Sequence, residues 1–169
     1  MSQLPLDIEN NESSAVFSPD RIYRYELWRR WGTGKTCVFI GLNPSTADET
    51  KNDPTIRRCI DFAKRWGCSQ LCMLNLFGYR ATNPKVMKSK LEPIGDRNNL
   101  TIRRVIHEAA ILVVAWGHHG THLNRARTVM KLIEDEGKKP LCFGFNADGT
   151  PTHPLYQPTT ATLIPYELP

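Results

Sequence analysis

Residues 36–77 read TCVFIGLNPSTADETKNDPTIRRCIDFAKRWGCSQLCMLNLF, and this stretch decides the fold. Its opening, Thr36 to Leu42, is an apolar run of strand length, which suits a strand covered on both faces. Asp53-Pro54 then has the form of a helix start. Asp accepts from the first free N–H groups, and Pro gives up nothing at the first helical position. Ile56, Cys59, Ile60, Ala63 and Trp66 recur at helical spacing, and Gly67 supplies the stop. A second apolar strand, QLCMLNLF (70–77), follows. A strand, a crossing helix and a second strand form the βαβ unit of a parallel sheet.

Outward from this unit the pattern repeats. Residues 78–95 are irregular, with Pro84 and Pro93. A helix over about 96–109, a strand ILVVAWG (111–117), a helix over about 121–136 and a strand LCFGF (141–145) follow. The remainder, 146–169, is rich in Pro and Thr. On the N-terminal side, residues 15–31 alternate Tyr23, Tyr25 and Leu27 with Arg24 and Glu26, the period of an edge strand with one wet face. Residues 1–14 read as a mobile acidic tail. The expected fold is α/β: a single three-layer α/β/α domain over 15–169. Its four-stranded parallel sheet carries an N-terminal antiparallel strand or hairpin.

Composition bounds the function. The chain has 169 residues, 40% of them apolar, enough for one domain with its own core. No apolar run reaches the roughly 20 residues of a membrane helix, and the start lacks signal-peptide character. Five cysteines make an odd number for a disulfide framework, so a reducing, cytoplasmic setting is expected. All 22 Lys and Arg lie beyond residue 20, with 13 of the 17 acids, so residues 21–169 carry +9 and residues 1–20 carry −4. A body this basic favours anionic partners, nucleic acid first. Nothing in the chain calls for an obligate protein partner, and a monomer is expected.

In open α/β sheets ligands bind at the carboxyl ends of the strands. Four segments fall there: Gly41 to Asp48, Asn75 with Gly78 to Thr82, Gly117 to His122, and Gly149 to Tyr156. Each has an ordinary explanation too. Gly41 to Asp48 reads equally as a capped turn, and Asn75 as a fastener for a neighbouring loop. His118, His119 and His122 lack the converging Cys or carboxylate ligands of a zinc site, so neither metal nor cofactor is expected. Cys37, Cys59, Cys72 and Cys142 read as core. There is no Walker loop, Gly-rich dinucleotide fingerprint or nucleophile elbow.

Gly41-Leu42-Asn43-Pro44, Asn75-Leu76-Phe77 with Arg80, and His153-Pro154 together resemble the uracil-DNA glycosylase superfamily, in the branch nearer the mismatch-specific enzymes. The region from about Tyr23 to Tyr156 also resembles a bacterial and phage domain-of-unknown-function family, through LNPSTAD, NDPT and NLF. The first resemblance implies a target base flipped out of DNA into the crevice. On that reading Asn75 reads the base edge, Gly41 lies against it, and Phe77 or Tyr79 stacks on it. Asn43 holds the attacking water, and His153 supports the departing base or the strand phosphates. Leu155 or Tyr156 fills the gap in the stack. An amide is no general base, so Asp48 is the candidate carboxylate. Ser45, Arg80, Lys85, Lys88, His118, His119, Pro154, Leu155 and Tyr156 are candidates for backbone contact.

The chain departs from the superfamily pattern at His153-Pro154-Leu155-Tyr156, where a Ser usually follows Pro, and at the polar Ser45-Thr46-Ala47-Asp48. A larger or more polar pyrimidine than uracil is one consequence. The expected activity is monofunctional DNA N-glycosylase. A nucleoside or nucleotide N-glycosidase and a non-catalytic nucleic-acid or nucleotide-binding module are the alternatives.

Overall fold

The computed structural model describes residues 11–169. Its strands are β1 (Glu12–Phe17), β2 (Arg24–Arg30), β3 (Thr36–Gly41), β4 (Gln70–Asn75), β5 (Ala109–Val114), β6 (Leu141–Cys142) and β7 (Ile164–Pro165). Its α-helices are α1 (Pro54–Arg65), α2 (Pro84–Lys88), α3 (Asn98–Ile106) and α4 (Arg125–Asp135), with 3-10 turns at His118–Asn124 and Pro154–Tyr156. One sheet in the order β1-β2-β4-β3-β5-β6-β7 runs through the molecule. Its centre is parallel: β3 lies between β4 and β5 and runs with both. β6 joins β5 through a single pair, Val113 with Leu141. β1, β2 and β7 are antiparallel to their neighbours.

Alternate side chains of the central strands feed two cores. Cys37, Phe39, Leu71 and Met73 pack with Ile56, Cys59, Phe62 and Ala63 of α1. Val38, Ile40, Cys72 and Leu74 pack with Ile102 and Val105 of α3 and with Val129 and Ile133 of α4. Burial on both faces is why these strands are apolar throughout. Asp53 caps α1 as expected, its carboxylate accepting from Ile56 N–H at 2.8 Å. All five cysteines are free and buried.

Several expectations change in detail. The expected N-terminal antiparallel strand or hairpin is a hairpin, β1 with β2. The break comes at Ser18 to Tyr23, where Ser18 and Asp20 accept local N–H groups and Arg21 has φ 62°. β1 starts at Glu12, so residues 12–14 pair with β2 although the acidic tail was expected to include them. Residues 1–10 lie outside the described residues. β2 has no wet face. Glu26 is held under α3 by Arg104 at 2.5 Å and by Trp28 Nε1 at 2.9 Å, and Arg29 is buried under the 48–52 loop. The strand expected at 141–145 ends at Cys142; beyond it Phe143 packs on Phe62 of α1 and on Trp66 at its end, and Phe145 forms an isolated bridge with Pro151. Among the described residues no helix is long and apolar enough to cross a membrane.

The chain runs from β3 to β4 on one side and returns to β5 on the other. The β3–β5 boundary is therefore the switch point, where helices leave in opposite directions and open a crevice.

Candidate functional site

A cavity of about 610 Å³ opens at those carboxyl ends. Its floor is apolar, formed by Phe39 of β3, Met73 of β4, Ile56 of α1 and Ala115 beyond β5. Of the residues singled out in the sequence, Gly41, Asn43, Ser45, Asn75, His118, His119, His153, Pro154, Leu155 and Tyr156 line it.

Asn75 ends β4 and is 4% exposed. Its side-chain Nδ2 is buried without a hydrogen-bond partner, while its backbone carbonyl accepts from Asn98 Nδ2 at 2.9 Å. Asn98 also donates to Leu76 O at 2.9 Å, and Arg125 Nε to the same oxygen at 2.7 Å. The strand end is thus fixed from behind while its amide stays unused. Gly41 faces this amide closely: a Cβ there would stand 3.0 Å from Asn75 Oδ1. Asn43 uses its NH₂ group to tie the two loops together, donating to Ala81 O at 2.8 Å and Pro44 O at 3.2 Å.

His153 opens the 3-10 turn, its Nδ1 accepting from Leu155 N–H at 3.2 Å. An accepting Nδ1 leaves the proton of the neutral ring on Nε2. Burial lowers the His153 pKa, against a smaller opposing effect of Asp53, and so favours that neutral form. Arg58 of α1 holds the end of the turn through Gln157 O. Leu155 and Tyr156 beside it are exposed, Tyr156 by 83%. His118 Nδ1 lies 2.9 Å from Asp148, and His119 Nδ1 lies 3.4 Å from Lys88 Nζ. Burial and the nearby Lys88 lower the His119 pKa.

The remaining candidates do not line the cavity. Asp48 lies in its own loop, where the N–H groups of Thr50 and Lys51 hold its carboxyl below the usual range. Phe77 is fully buried in the core beside the His122 ring, at 5.6 Å between centroids, so it is not a stacking platform. Tyr79 and Arg80 line a second, shallower hollow of about 440 Å³, which shares Ser45, Thr46, Ala81 and Thr82 with the first. Lys85 and Lys88 stand exposed on α2, whose Pro84 reaches the cavity wall.

Asp53, Arg24 and Trp116 also line the cavity. Asp53 was read as a cap alone, and Arg24 was placed on a wet face. Trp116, expected inside a strand, lines the cavity, and its Nε1 is buried without a partner. No group of three or more His, Cys, Asp or Glu among the described residues could hold a metal ion.

The model of a protein family of unknown function, DUF1643, matches residues 24–155. The chain belongs to this family. Every lining residue except Tyr156 falls within the DUF1643 match. Comparison with curated proteins and with solved structures finds no match.

Proposed function

We propose that the chain is a monofunctional DNA N-glycosylase, which takes a flipped uracil-like or modified pyrimidine base into the cavity and hydrolyses its bond to the sugar. The observation that carries this reading is the Asn75 amide, buried in the cavity wall with its donor unused. Such a group costs about 1–3 kcal/mol when it stays unpaired. A pyrimidine edge supplies the acceptor it lacks. The amide offers both a donor and an acceptor, as that edge requires. The cavity lies within the roughly 300–1,000 Å³ of small-molecule sites, which leaves room for a substituted base with its sugar.

The chemistry then falls to few groups. Asn43, its NH₂ engaged with the loop carbonyls, presents its carbonyl oxygen to the attacking water. Asp53 replaces Asp48 as the carboxylate, since it alone of the two lines the cavity. It accepts the water's proton or stabilises the positive charge that grows on the sugar. His153 offers Nε2–H to the base or a phosphate. Lys85, Lys88 and Arg80 provide positive charge outside the cavity. Leu155 and Tyr156, exposed at its rim, suit the place of a wedge in the base stack. The resemblance of Gly41 to Pro44 and of His153-Pro154 to the uracil-DNA glycosylase superfamily supports the same reading, because both segments line one cavity.

The test is base release from oligonucleotides carrying uracil, mismatched thymine or bulky modified cytosines, with alkali to reveal abasic sites. Release of one base, lost in Asn43→Ala and His153→Ala, is expected. A non-catalytic reader is the second reading, favoured by the cap that already engages one oxygen of Asp53. Salt-sensitive DNA binding without release from any oligonucleotide would establish it in place of the first.

A further inference from the structure

Arg24 lines the cavity and has no part in the chemistry above. It is 2% exposed, and its guanidinium makes one hydrogen bond, from Nη1 to Ala47 O at 3.0 Å. Its Nε is buried without a partner. None of the ion pairs among the described residues includes it. Burial lowers its pKa to about 10, so it stays charged at neutral pH. A buried guanidinium ordinarily has a carboxylate or phosphate beside it, because an unpaired charge in the interior is costly. Here the charges of Arg29 and Arg80 add to the positive field, and Asp53 is the carboxylate that opposes it. Arg24 is buried and Asp53 half-buried, and both line the cavity, so its wall carries charges of opposite sign. The apolar floor, Phe39, Ile56, Met73 and Ala115, suits a flat ring rather than a phosphate.

We infer that Arg24 is a further catalytic residue of the base release proposed above, taking up the negative charge that the departing base acquires. The inference rests on that reading. As the bond from C1′ to the base nitrogen breaks, its electron pair stays with the base and spreads over the ring nitrogens and carbonyl oxygens. The sugar carbon, now cationic, is captured by the water at Asn43, whose proton passes to Asp53 or to solvent. The base leaves as an anion and takes a proton from water. A neutral substrate thus becomes two opposite charges, with Arg24 on the base side and Asp53 on the sugar side. Fixed charges of this kind act on the transition state far more than on the ground state.

Two readouts test this, with thermal unfolding as a control because Arg24 also holds Ala47. The first compares single-turnover release of uracil and of the better leaving group 5-fluorouracil from oligonucleotides. Arg24→Gln is expected to slow uracil release by about 10²–10³-fold, to slow 5-fluorouracil much less, and Arg24→Lys to recover part of the loss. The second needs no turnover. Tryptophan fluorescence, with Trp116 in the cavity wall, follows binding of free 5-nitrouracil, an anion at neutral pH, against neutral uracil. Wild type is expected to prefer the anion at least about tenfold, as one lost charge contact of about 1.4 kcal/mol implies. Arg24→Gln should lose that preference and Arg24→Lys keep it. Equal slowing on both oligonucleotides, no preference for the anion, or displacement of 5-nitrouracil by inorganic phosphate at similar concentration would overturn the inference. Absence of release by wild type would instead remove the parent reading. An anion preference lost in Arg24→Gln would then still place Arg24 at a base-anion site.

Discussion

Two carboxylates five positions apart, Asp48 and Asp53, have different work to do. The first closes its own loop through the N–H groups of Thr50 and Lys51. Asp48→Ala should therefore lower the Tm by roughly 2–4 °C and leave base release unchanged, as melting and turnover assays would show. Asp53 both caps α1 and lines the cavity. Asn is as good a cap as Asp, so Asp53→Asn should change stability by less than about 0.5 kcal/mol. The same variant should slow release about 10²-fold. A loss of stability without a loss of rate would reduce Asp53 to a cap. The spacing of Asp53 before Pro54 revealed the cap, but not that the same side chain borders the crevice, because that depends on the loop path from 41 to 52. Asn75 was legible as an amide in an apolar strand. Arg24 was not, because alternation in β2 suggested a solvated side chain where α3 and the neighbouring loops cover both faces.

At the scale of elements, the parallel centre was readable from continuous apolar runs and from caps, which are local signals. The bounds of the hairpin strands and of β6, and the existence of β7, were not. β6 and β7 have two residues each, too few for any period, and their pairing depends on contacts distant in sequence. The 3-10 turn before α4 was also absent from the sequence reading, since Leu123 and Asn124 take positive φ without being Gly. Within that turn Gly120 packs against the cavity wall. A Cβ there would stand 2.2 Å from Trp116 Cδ1 and 2.7 Å from its Nε1. Gly120→Ala must displace the indole, at a cost of about 1–3 kcal/mol. Chemical denaturation should record that loss, and a shifted tryptophan emission should accompany it. An unchanged spectrum would mean that Trp116 does not form this wall.

Across the whole molecule, burial lowers the pKa of three histidines, His119, His122 and His153. A histidine with a lowered folded-state pKa binds protons more readily unfolded. Its contribution to stability is complete above the ordinary value of about 6.5 and is lost as pH falls through the folded value. Denaturation midpoints should therefore fall between about pH 7.5 and 5. His153→Asn, which keeps an acceptor for the Leu155 N–H, should flatten part of that slope. An identical slope in the variant would place the titration elsewhere. Charge at this scale was legible from composition, since residues 21–169 carry +9, but the place where it matters was not. The lysines of α2 are exposed, whereas Arg24 is buried in the cavity wall and Arg125 behind the end of β4.

On the proposed function, the cavity at the ends of β3, β4 and β5 receives a base on Asn75. The most direct measurement is single-turnover base release by wild type and Asn75→Ala, each checked by thermal unfolding. The buried Nδ2 of Asn75 makes no hydrogen bond in the protein, so Asn75→Ala removes an unpaired donor and should leave the Tm unchanged or raise it. Release by wild type, reduced at least about 10²-fold in this stable variant, is the predicted result. Release that survives in a folded Asn75→Ala chain would contradict the account.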